Sequence, residues 1–284
     1  MGYMHISNLY KNARVLDFRR CYAMEKVHGT SARVQWKGNK IIFHAGGSKH
    51  ETFTKIFSES ELQKSFEEHF KDVDVVVYGE AYGGSIMRMG ETYGKEQSFI
   101  AFEVQIGDAW LTVPNAEDVT KKLGLEFVPY NEVDAHVESL NFQRDLPSVV
   151  ATRRGCGDAK TREGIVIRPL NEYVDNRGDR VIVKHKTEAF METATKREVT
   201  PERLGVLTEA NEVAEEWVTK MRLQHIIGKF SEELTIKDTG RIIKLMQEDV
   251  CREGKGEIVE SKEVRTAIGK KTVQIFKENL GMVI

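Results

Sequence analysis

The stretch at residues 25–30 reads Glu-Lys-Val-His-Gly-Thr and decides how this chain of 284 residues is interpreted. If residues 22–26 form a strand, Lys26 stands at its end, and Gly29 lets the backbone turn close to a bound phosphate. Thr30 then offers a hydroxyl group to the same ligand. A lysine followed three residues later by a glycine is common, so this stretch alone is a weak indication.

Four further segments follow it along the chain. They read Tyr-Gly-Glu-Ala-Tyr-Gly at 78–83, Phe-Ile-Ala-Phe-Glu at 99–103, Glu-Gly-Ile-Val-Ile-Arg-Pro at 163–169 and Lys-His-Lys at 184–186. Each segment is weak evidence when taken alone. The order in which all five segments occur along the chain is the strong signal.

In that order, the five segments resemble the nucleotidyl-transfer motifs of the covalent nucleotidyltransferase superfamily, which comprises ATP-dependent polynucleotide ligases and mRNA capping enzymes. The tripeptide at 28–30 is the variant typical of RNA ligases, whereas Asp-Gly is more usual in DNA ligases. A helical carboxy-terminal segment in place of an OB-fold resembles the nick-sealing RNA ligases of the phage type-two family. By motif, the resemblance covers residues 22–192, and Phe190 and Glu192 support the same branch.

The resemblance implies that Lys26 is the nucleophile that attacks the α-phosphate of ATP, forms lysyl-AMP and expels pyrophosphate. The amine must be unprotonated to attack, and nearby positive charges favour that form. Lys184 and Lys186 alternate around His185, so on a strand both ammonium groups point to the side where phosphate charge develops. We therefore expect Lys26, Lys184 and Lys186 to be catalytic.

The same resemblance assigns residues to the nucleotide. It implies that Glu25 contacts the adenine base, that Glu80 holds the ribose and that Phe102 stacks on the purine. Arg168 lies two residues along a strand from Val166 and is expected to reach a phosphate. The complete set expected to bind the nucleotide is Glu25, His28, Gly29, Thr30, Glu80, Phe102 and Arg168.

Two acids are expected to bind a divalent metal. Glu163 matches the superfamily's acid that binds the catalytic metal, and a hard carboxylate suits magnesium or manganese. Glu103 matches a position usually held by Asp and is expected as a second ligand. The expected cofactors are ATP and Mg²⁺, with Mn²⁺ as an alternative.

One basic element of the superfamily, of the type Ser-Arg-x-Gly, is incomplete in this chain. Residues 43–49 read Phe-His-Ala-Gly-Gly-Ser-Lys, without the arginine. His44, Lys49 and Arg33 are the candidates to replace it. Ser31 also stands where one RNA ligase branch has an Asn implicated in strand joining, so self-nucleotidylation is better supported than efficient sealing.

Hydrophobic periodicity predicts an α+β fold between residues 21 and 186, with short strands separated by helices. The resemblance identifies it as a nucleotidyltransferase (ATP-grasp-like ligase adenylation) domain of antiparallel sheets with flanking helices. The predicted strands cover 32–36, 40–44, 73–78, 99–105 and 180–186. The predicted helices cover 60–70 and 115–123, the second with Pro114 before an N-capping Asn115.

The pattern changes at Thr200-Pro201-Glu202, a typical helix start. Three amphipathic helices are predicted after it, at 207–221, 239–252 and 261–280, the last ending at Gly281. The sequence therefore predicts a nucleotidyltransferase domain at residues 1–198 and a small all-helical domain at 199–284.

Composition limits the function classes. With 42 Lys and Arg against 44 Asp and Glu, the net charge is −2, so any polyanion must be bound by local basic clusters. Two such clusters lie beside the motifs, one comprising Arg153, Arg154, Lys160 and Arg162 and the other comprising Lys184, Lys186, Lys196 and Arg197. Three scattered cysteines argue against a disulfide framework and a structural zinc site.

The function expected from these observations is an ATP-dependent RNA ligase that joins a 5′-phosphate to a 3′-OH through lysyl-AMP and an adenylylated 5′ end. Its expected partner is nicked or broken RNA, as a duplex or an RNA–DNA hybrid. We expect a monomer without a membrane span in the cytoplasm, or in the host cytoplasm if phage-encoded. The alternatives are an ATP-dependent DNA ligase, an mRNA capping guanylyltransferase and a non-catalytic RNA-binding relative.

Overall fold

The structure, a computed structural model, describes residues 2–195 and 209–281. Contacts divide the chain into two compact units, Met1–Thr187 and Glu188–Ile284. The predicted domain boundary after residue 198 lies outside the described residues, as do the predicted helix start at Thr200 and the basic residues Lys196 and Arg197. Within the described residues, no helix is long and apolar enough to cross a lipid bilayer.

The first unit contains all the strands named here. In chain order, they are β1 (Ser7–Asn8), β2 (Arg20–Lys26), β3 (Thr30–Lys37), β4 (Lys40–Ala45), β5 (Val75–Gly83), β6 (Gln97–Ile106), β7 (Ala109–Trp110), β8 (Tyr130–Asp134), β9 (Gly164–Pro169) and β10 (Val183–Lys186). Its α-helices are α1 (His50–Thr54), α2 (Glu59–Phe70), α3 (Gly90–Tyr93), α4 (Val113–Lys122), α5 (Val137–Asp145) and α6 (Val149–Arg153).

The strands form two five-stranded sheets, which confirms the predicted α+β architecture. The first sheet has the order β1-β10-β9-β2-β8, and its pairs are antiparallel except for β1 with β10. The second has the order β4-β3-β5-β6-β7 and is antiparallel throughout. The chain passes from the first sheet to the second between Lys26 and Thr30, so the segment that decided the interpretation of the sequence connects the two sheets.

Alternation along β3 places the core of the second sheet. Ala32, Val34 and Trp36 are buried on one face, as period-two spacing requires. Helix α2 covers this face, where the ring of Phe66 stacks on Trp36 with centroids 5.5 Å apart. The sheet is therefore anchored by a packed aromatic core, and its other face is left to form a site.

Two glycines are required where chains approach closely. A Cβ atom on Gly29 would lie 2.3 Å from the carbonyl oxygen of Ala81, so the turn between the sheets admits no side chain there. Gly164 has a φ of +151°, and a Cβ atom on it would lie 2.1 Å from the carbonyl oxygen of His185. Both positions therefore need glycine for steric reasons.

The second unit is helical and contains α7 (Ala210–Trp217), α8 (Lys220–Ile227), α9 (Thr239–Glu253) and α10 (Lys262–Asn279). Its core includes Trp217, Ile242, Met246, Ile268 and Phe276. Ser261 caps α10 by accepting a hydrogen bond from the Val264 amide, and Gly281 follows the helix with a φ of +72°. These termini agree with the sequence prediction.

Two predicted helix details were wrong. The helix predicted at 207–221 is broken after Trp217, because the Thr219 hydroxyl accepts from the Arg222 amide and starts α8 as its N-cap. Helix α4 begins at Val113 after Thr112, so Asn115 lies inside the first turn and is not the N-cap. In both cases a threonine occupies the N-cap position, Thr112 before α4 and Thr219 before α8.

Candidate functional site

Strand register brings the central motif residues together. Lys26 at the end of β2 pairs with Gly164 at the start of β9, and Lys186 at the end of β10 pairs with the same glycine. Glu163, directly before that glycine, therefore lies between the two lysines. Its carboxylate is 2.8 Å from Lys26 Nζ, 3.0 Å from Lys186 Nζ and 3.1 Å from His28 Nδ1.

Charge explains why the buried Glu163 stays ionised. Burial alone would raise its pKa, but Lys26, Lys186 and His28 outweigh that effect and hold the pKa well below its ordinary value. Glu163 is 1% exposed, whereas the side chain of Lys26 retains 22% exposure. The Lys26 amine is thus partly exposed, while Lys26 and Lys186 compensate the negative charge of the buried Glu163 carboxylate.

Glu80 has the opposite behaviour. It lies opposite Ser31 across β3 and β5. Burial raises its pKa to about 8, reinforced by Glu163 and opposed by Lys26 and Lys186. Near neutral pH, and without a bound cation, Glu80 therefore carries its proton for much of the time.

A cleft of about 130 Å³ lies beside this cluster in the first unit. Five of the predicted residues line it or lie at its edge: Glu25, Lys26, Glu80, Phe102 and Arg168. Apolar side chains complete its walls, among them Met24, Val27, Val128, Val166 and Ile182. An apolar slot with an aromatic ring, next to an amine and carboxyl groups, suits a flat base joined to phosphates.

The loop between the sheets is held from two sides. The His28 amide donates to the Tyr93 hydroxyl at 3.3 Å, and the Thr30 hydroxyl accepts from the Gly47 amide at 2.9 Å. Gly47 belongs to the segment where the superfamily has its Ser-Arg-x-Gly element. Thr30 is thus tied to that segment and can still donate its own hydroxyl proton.

The carboxylate of Glu25 points into the protein. It accepts hydrogen bonds from the Ser148 hydroxyl at 2.5 Å and the Val149 amide at 2.9 Å, and Arg162 lies 3.8 Å away. Burial raises the pKa of Glu25, and Ser148, Arg162 and Val149 oppose the rise. The Glu25 side chain therefore holds the end of β2 against α6. These hydrogen bonds engage the carboxylate within the protein and do not favour the expected contact with a base.

Arg168 and Glu103 lie away from Lys26. Arg168 pairs with Tyr22, four residues along β9 from Gly164 and roughly 13 Å from the Lys26 row. Its buried guanidinium is 2.8 Å from Glu103, pairs with Glu172 and donates to the Leu111 carbonyl. The guanidinium is therefore engaged inside the protein although Arg168 lines the cleft, and its expected phosphate contact stays a prediction.

Glu103 is likewise committed to protein cations. Besides Arg168, its carboxylate receives the Arg180 guanidinium at 2.5 Å and the Tyr3 hydroxyl. The structure does not place it beside Glu163, so its expected role as a second metal ligand is not supported by position. Strand alternation predicted the face of each residue but not its partner.

The residues present fit a divalent cation at Glu163. Magnesium is usually held by one or two carboxylates together with substrate phosphates, and Glu163 with Glu80 offers two interacting carboxyl groups near Lys26. No cluster of three or more His, Cys, Asp or Glu side chains suited to a metal occurs within the part of the chain that the structure describes. A metal ion held by these two carboxyl groups would need the phosphates of a ligand to complete its coordination.

The other basic residues named in the sequence analysis differ in exposure and in their partners. Lys184 lies opposite Val166, which lines the cleft. Arg162 is 4% exposed and bonded to the Pro147 and Gln143 carbonyls, so it is no part of a surface for polyanions. Arg153 is half exposed and 3.2 Å from Glu126.

Of the three candidates to replace the missing arginine, Arg33 is placed best. It lies two residues along β3 from Ser31, which lines the cleft, whereas Lys49 is exposed before α1. His44 faces Arg33 across β3 and β4, and burial and that arginine lower its pKa.

Sequence patterns missed several residues of the site. Tyr3 and Ile6 line the cleft, Tyr93 holds the motif loop, Ser148 holds Glu25, and Arg180 pairs with Glu103. None belongs to a motif, although Arg180 begins the strand predicted at 180–186. Only the position of Ser148 after Pro147, before a helix, carried a local signal, that of an N-cap.

The family model described as RNA ligase matches residues 19–186, more than half of the chain. An apo variant of Naegleria gruberi RNA ligase superposes with a TM-score of 0.53 at 16% identity, covering 67% of this chain and 57% of that one. A variant with AMP and Mn gives a TM-score of 0.52 at 16% identity, with the same coverage. A variant with ATP and Mn gives 0.52 at 17% identity, covering 67% and 56%.

The alignments therefore span less than two thirds of the Naegleria chains, and at these identities the likeness is one of fold. No match was found among the curated proteins.

Proposed function

Because the chain belongs to the RNA ligase family, we propose that it is an ATP-dependent RNA ligase that works through a lysyl-AMP intermediate on Lys26. The observation that carries the proposal is the cluster of Lys26, Glu163 and Lys186 in one strand row beside an apolar cleft containing Phe102. It combines a nucleophile, a compensating acid, a phosphate-binding cation and a stacking ring in one place.

The reaction has three steps. The unprotonated Lys26 amine attacks the α-phosphorus of ATP, a nitrogen–phosphorus bond forms, and the bond to pyrophosphate breaks. An oxygen of an RNA 5′-phosphate then attacks the same phosphorus, which frees Lys26 and leaves AMP on the RNA end. Finally, a 3′-hydroxyl attacks the 5′-phosphate, the phosphodiester forms, and AMP leaves.

The protein's own residues position and neutralise charge in these steps. Lys186, and Lys184 on the same strand face, stabilise the negative charge that develops on the α-phosphate. Phe102 and Val166 enclose the base, and Glu80 reaches the ribose. Glu163 holds the Lys26 amine at the cleft before ATP binds.

Glu163 and Glu80 would hold Mg²⁺ or Mn²⁺, which when bound would screen the phosphate charge. Solved Naegleria ligase structures with ATP and Mn have the same fold, which supports this choice of cofactors.

We propose nicked RNA as the substrate, either as a duplex or paired with DNA, handled by a monomer since one chain carries the whole cluster. The family match and the His28-Gly29-Thr30 variant favour RNA over DNA.

The test of the intermediate is labelling with α-³²P-ATP and Mg²⁺, followed by acid treatment. The wild-type protein should carry an acid-labile label, GTP should label it far less, and Lys26→Ala should carry none. Lys64→Ala, an exposed lysine on α2, is the matched control and should label normally. A label retained in Lys26→Ala would exclude this nucleophile, and an unlabelled wild type would favour a non-catalytic RNA-binding protein.

The test of the substrate is sealing of a nicked duplex whose 3′ end is ribose or deoxyribose. A ribose preference supports an RNA ligase and a contact with the 2′-hydroxyl. Equal or better sealing of deoxyribose ends would make the protein a DNA ligase.

A further inference from the structure

The segment Tyr3 to Leu9, here called the strap, connects the two sheets across the cleft. At one end, Ser7 and Asn8 pair in parallel with Val183 and Lys184 of β10, and the Leu9 amide donates to the Lys184 carbonyl at 2.9 Å. At the other end, Tyr3 contacts the second sheet. The strap precedes the family-matched residues, and no motif assigns it a role.

Tyr3 makes an unusually complete set of contacts for a residue outside regular structure. Its ring lies 4.9 Å from that of Phe102 at 70°, 5.2 Å from Tyr78 and 6.2 Å from Trp110. Its hydroxyl donates to Glu103. Burial, reinforced by Glu103, raises the pKa of the phenol, so Tyr3 remains a hydrogen-bond donor.

One of these contacts is with Phe102, whose ring also lines the cleft. Phe102 is the extra residue of a bulge between β5 and β6, because Tyr78 pairs with Glu103 and Gly79 pairs with Ala101. A bulge leaves its extra residue without a cross-strand partner and changes the direction of its side chain. The edge of Tyr3 against Phe102 supplies the missing restraint, and Tyr3 and Ile6 themselves line the cleft.

We infer that the strap is a wall of the nucleotide site and that Tyr3 is a positioning residue that holds Phe102 in the orientation needed to stack on the base. This inference rests on the proposed function, since it assumes that the cleft takes a nucleotide. Removal of the Tyr3 ring should weaken nucleotide binding while leaving the Lys26 cluster intact.

The experiment measures the rate of Lys26 labelling against ATP concentration for the wild type, Tyr3→Ala, Tyr3→Leu and Tyr3→Phe. Tyr10→Phe, which removes a hydroxyl just outside the strap, is the matched control. Tyr3→Ala and Tyr3→Leu should raise KM about three- to tenfold, the range that one aromatic contact supports, with kcat within about twofold. Tyr3→Phe keeps the ring and should restore KM to within about twofold of the wild type.

A KM within twofold of the wild type for Tyr3→Ala and Tyr3→Leu would overturn the inference. So would a loss confined to kcat, because that would place the effect at the phosphates. Thermal melting of each variant identifies any that fails to fold, and Tyr3→Leu preserves apolar volume if Tyr3→Ala is too unstable.

Failure of the proposed function can be distinguished from failure of the inference about the strap. If the wild type takes no label, that function fails, and the strap is judged by the fluorescence quenching of etheno-ATP on binding. Weaker binding by Tyr3→Ala, restored by Tyr3→Phe, supports the strap as a wall of the site. Equal binding by all variants overturns it.

Discussion

Two buried glutamates, each paired with a basic residue that lines the cleft, show how the same residue type serves two purposes. Glu163 is 1% exposed and Glu103 is 0% exposed, and each is paired with two strong cations. The cations differ in kind. Glu163 faces two lysines, whereas Glu103 faces two arginines.

The difference determines what each cluster can do. A lysine ammonium is a point charge on a flexible stem, and Lys26 remains partly exposed, so it can leave Glu163 for a phosphate. The guanidinium groups of Arg168 and Arg180 are fixed forks with several further contacts, including the Trp110 ring 4.2 Å from Arg180. The Glu163 cluster can exchange partners, and the Glu103 cluster holds the shape of the cleft.

The largest expected effect is the loss of labelling in Glu163→Gln. The amide keeps the volume of the carboxyl but cannot compensate Lys26 and Lys186 or bind a metal. Labelling by ATP should fall about a thousandfold, measured as a single-turnover rate. Unfolding in urea should become easier, because Lys186 is buried and loses the carboxylate 3.0 Å away, but by less than for Glu103→Gln, since Lys26 can move its charge toward water. Labelling within tenfold of the wild type would show that Glu163 is dispensable.

The same substitution at the second glutamate, Glu103→Gln, should reverse the pattern. It leaves Arg168 and Arg180 buried with less negative charge, which should lower the free energy of unfolding by about 3 kcal/mol. Labelling per folded molecule and the Mg²⁺ concentration for half-maximal rate should stay within about fivefold of the wild type. A strongly increased Mg²⁺ requirement would instead support the original prediction that Glu103 is a metal ligand.

The contrast also explains what could be predicted from sequence. Lys26, Gly164 and Lys186 lie at strand ends, and their pairing follows once the strands are recognised, so the cluster around Glu163 was within reach of motif order and alternation. Strand alternation gives the face of a side chain but not its partner. The ion pair between Arg168 and Glu103 depends on a contact between two sheets and could not be derived in this way.

Other features could not be predicted from the sequence, because each depends on a single residue. Tyr3 acts through ring contacts with residues about 75 to 107 positions later, and no periodic pattern records such contacts. The break between α7 and α8 depends on one hydroxyl, that of Thr219. The hydrophobic pattern continues across this break, so periodicity alone predicted one helix.

A third carboxyl group, that of Glu80, should make the free energy of unfolding depend on pH. Its pKa in the folded chain is about 8, above the ordinary value of 4.5. A raised pKa means that its stabilising contribution is complete below about 4.5 and is lost as pH rises through 8. Glu163, whose pKa is lowered, has the opposite sign and loses its contribution only at acid pH.

The measurement is urea unfolding of the wild type and Glu80→Gln between pH 5 and 8.5. The free energy of the wild type relative to the variant should fall with rising pH by at most about 1.4 kcal/mol per unit. Glu103→Gln compared with the wild type over the same range is the control for other titrating groups. A flat difference for Glu80→Gln would mean that this carboxyl is ionised in the folded chain.

The smallest expected effect concerns Glu25, a buried carboxylate held by neutral donors at 2.5 and 2.9 Å, with Arg162 farther away at 3.8 Å. Ser148→Ala removes the closest donor and also the cap of α6, where the same hydroxyl accepts from the Ala151 amide at 3.0 Å. The free energy of unfolding should fall by about 1 to 2 kcal/mol, and Ser148→Thr should restore most of it.

Because the Ser148 bond opposes the raised pKa of Glu25, the alanine variant should also take up a proton at a higher pH, which calorimetric titration can detect. An unchanged pKa together with lost stability would mean that Ser148 acts only as a helix cap. Glu25 would then depend on the Val149 amide and Arg162, and would resemble Glu103 more closely than Glu163.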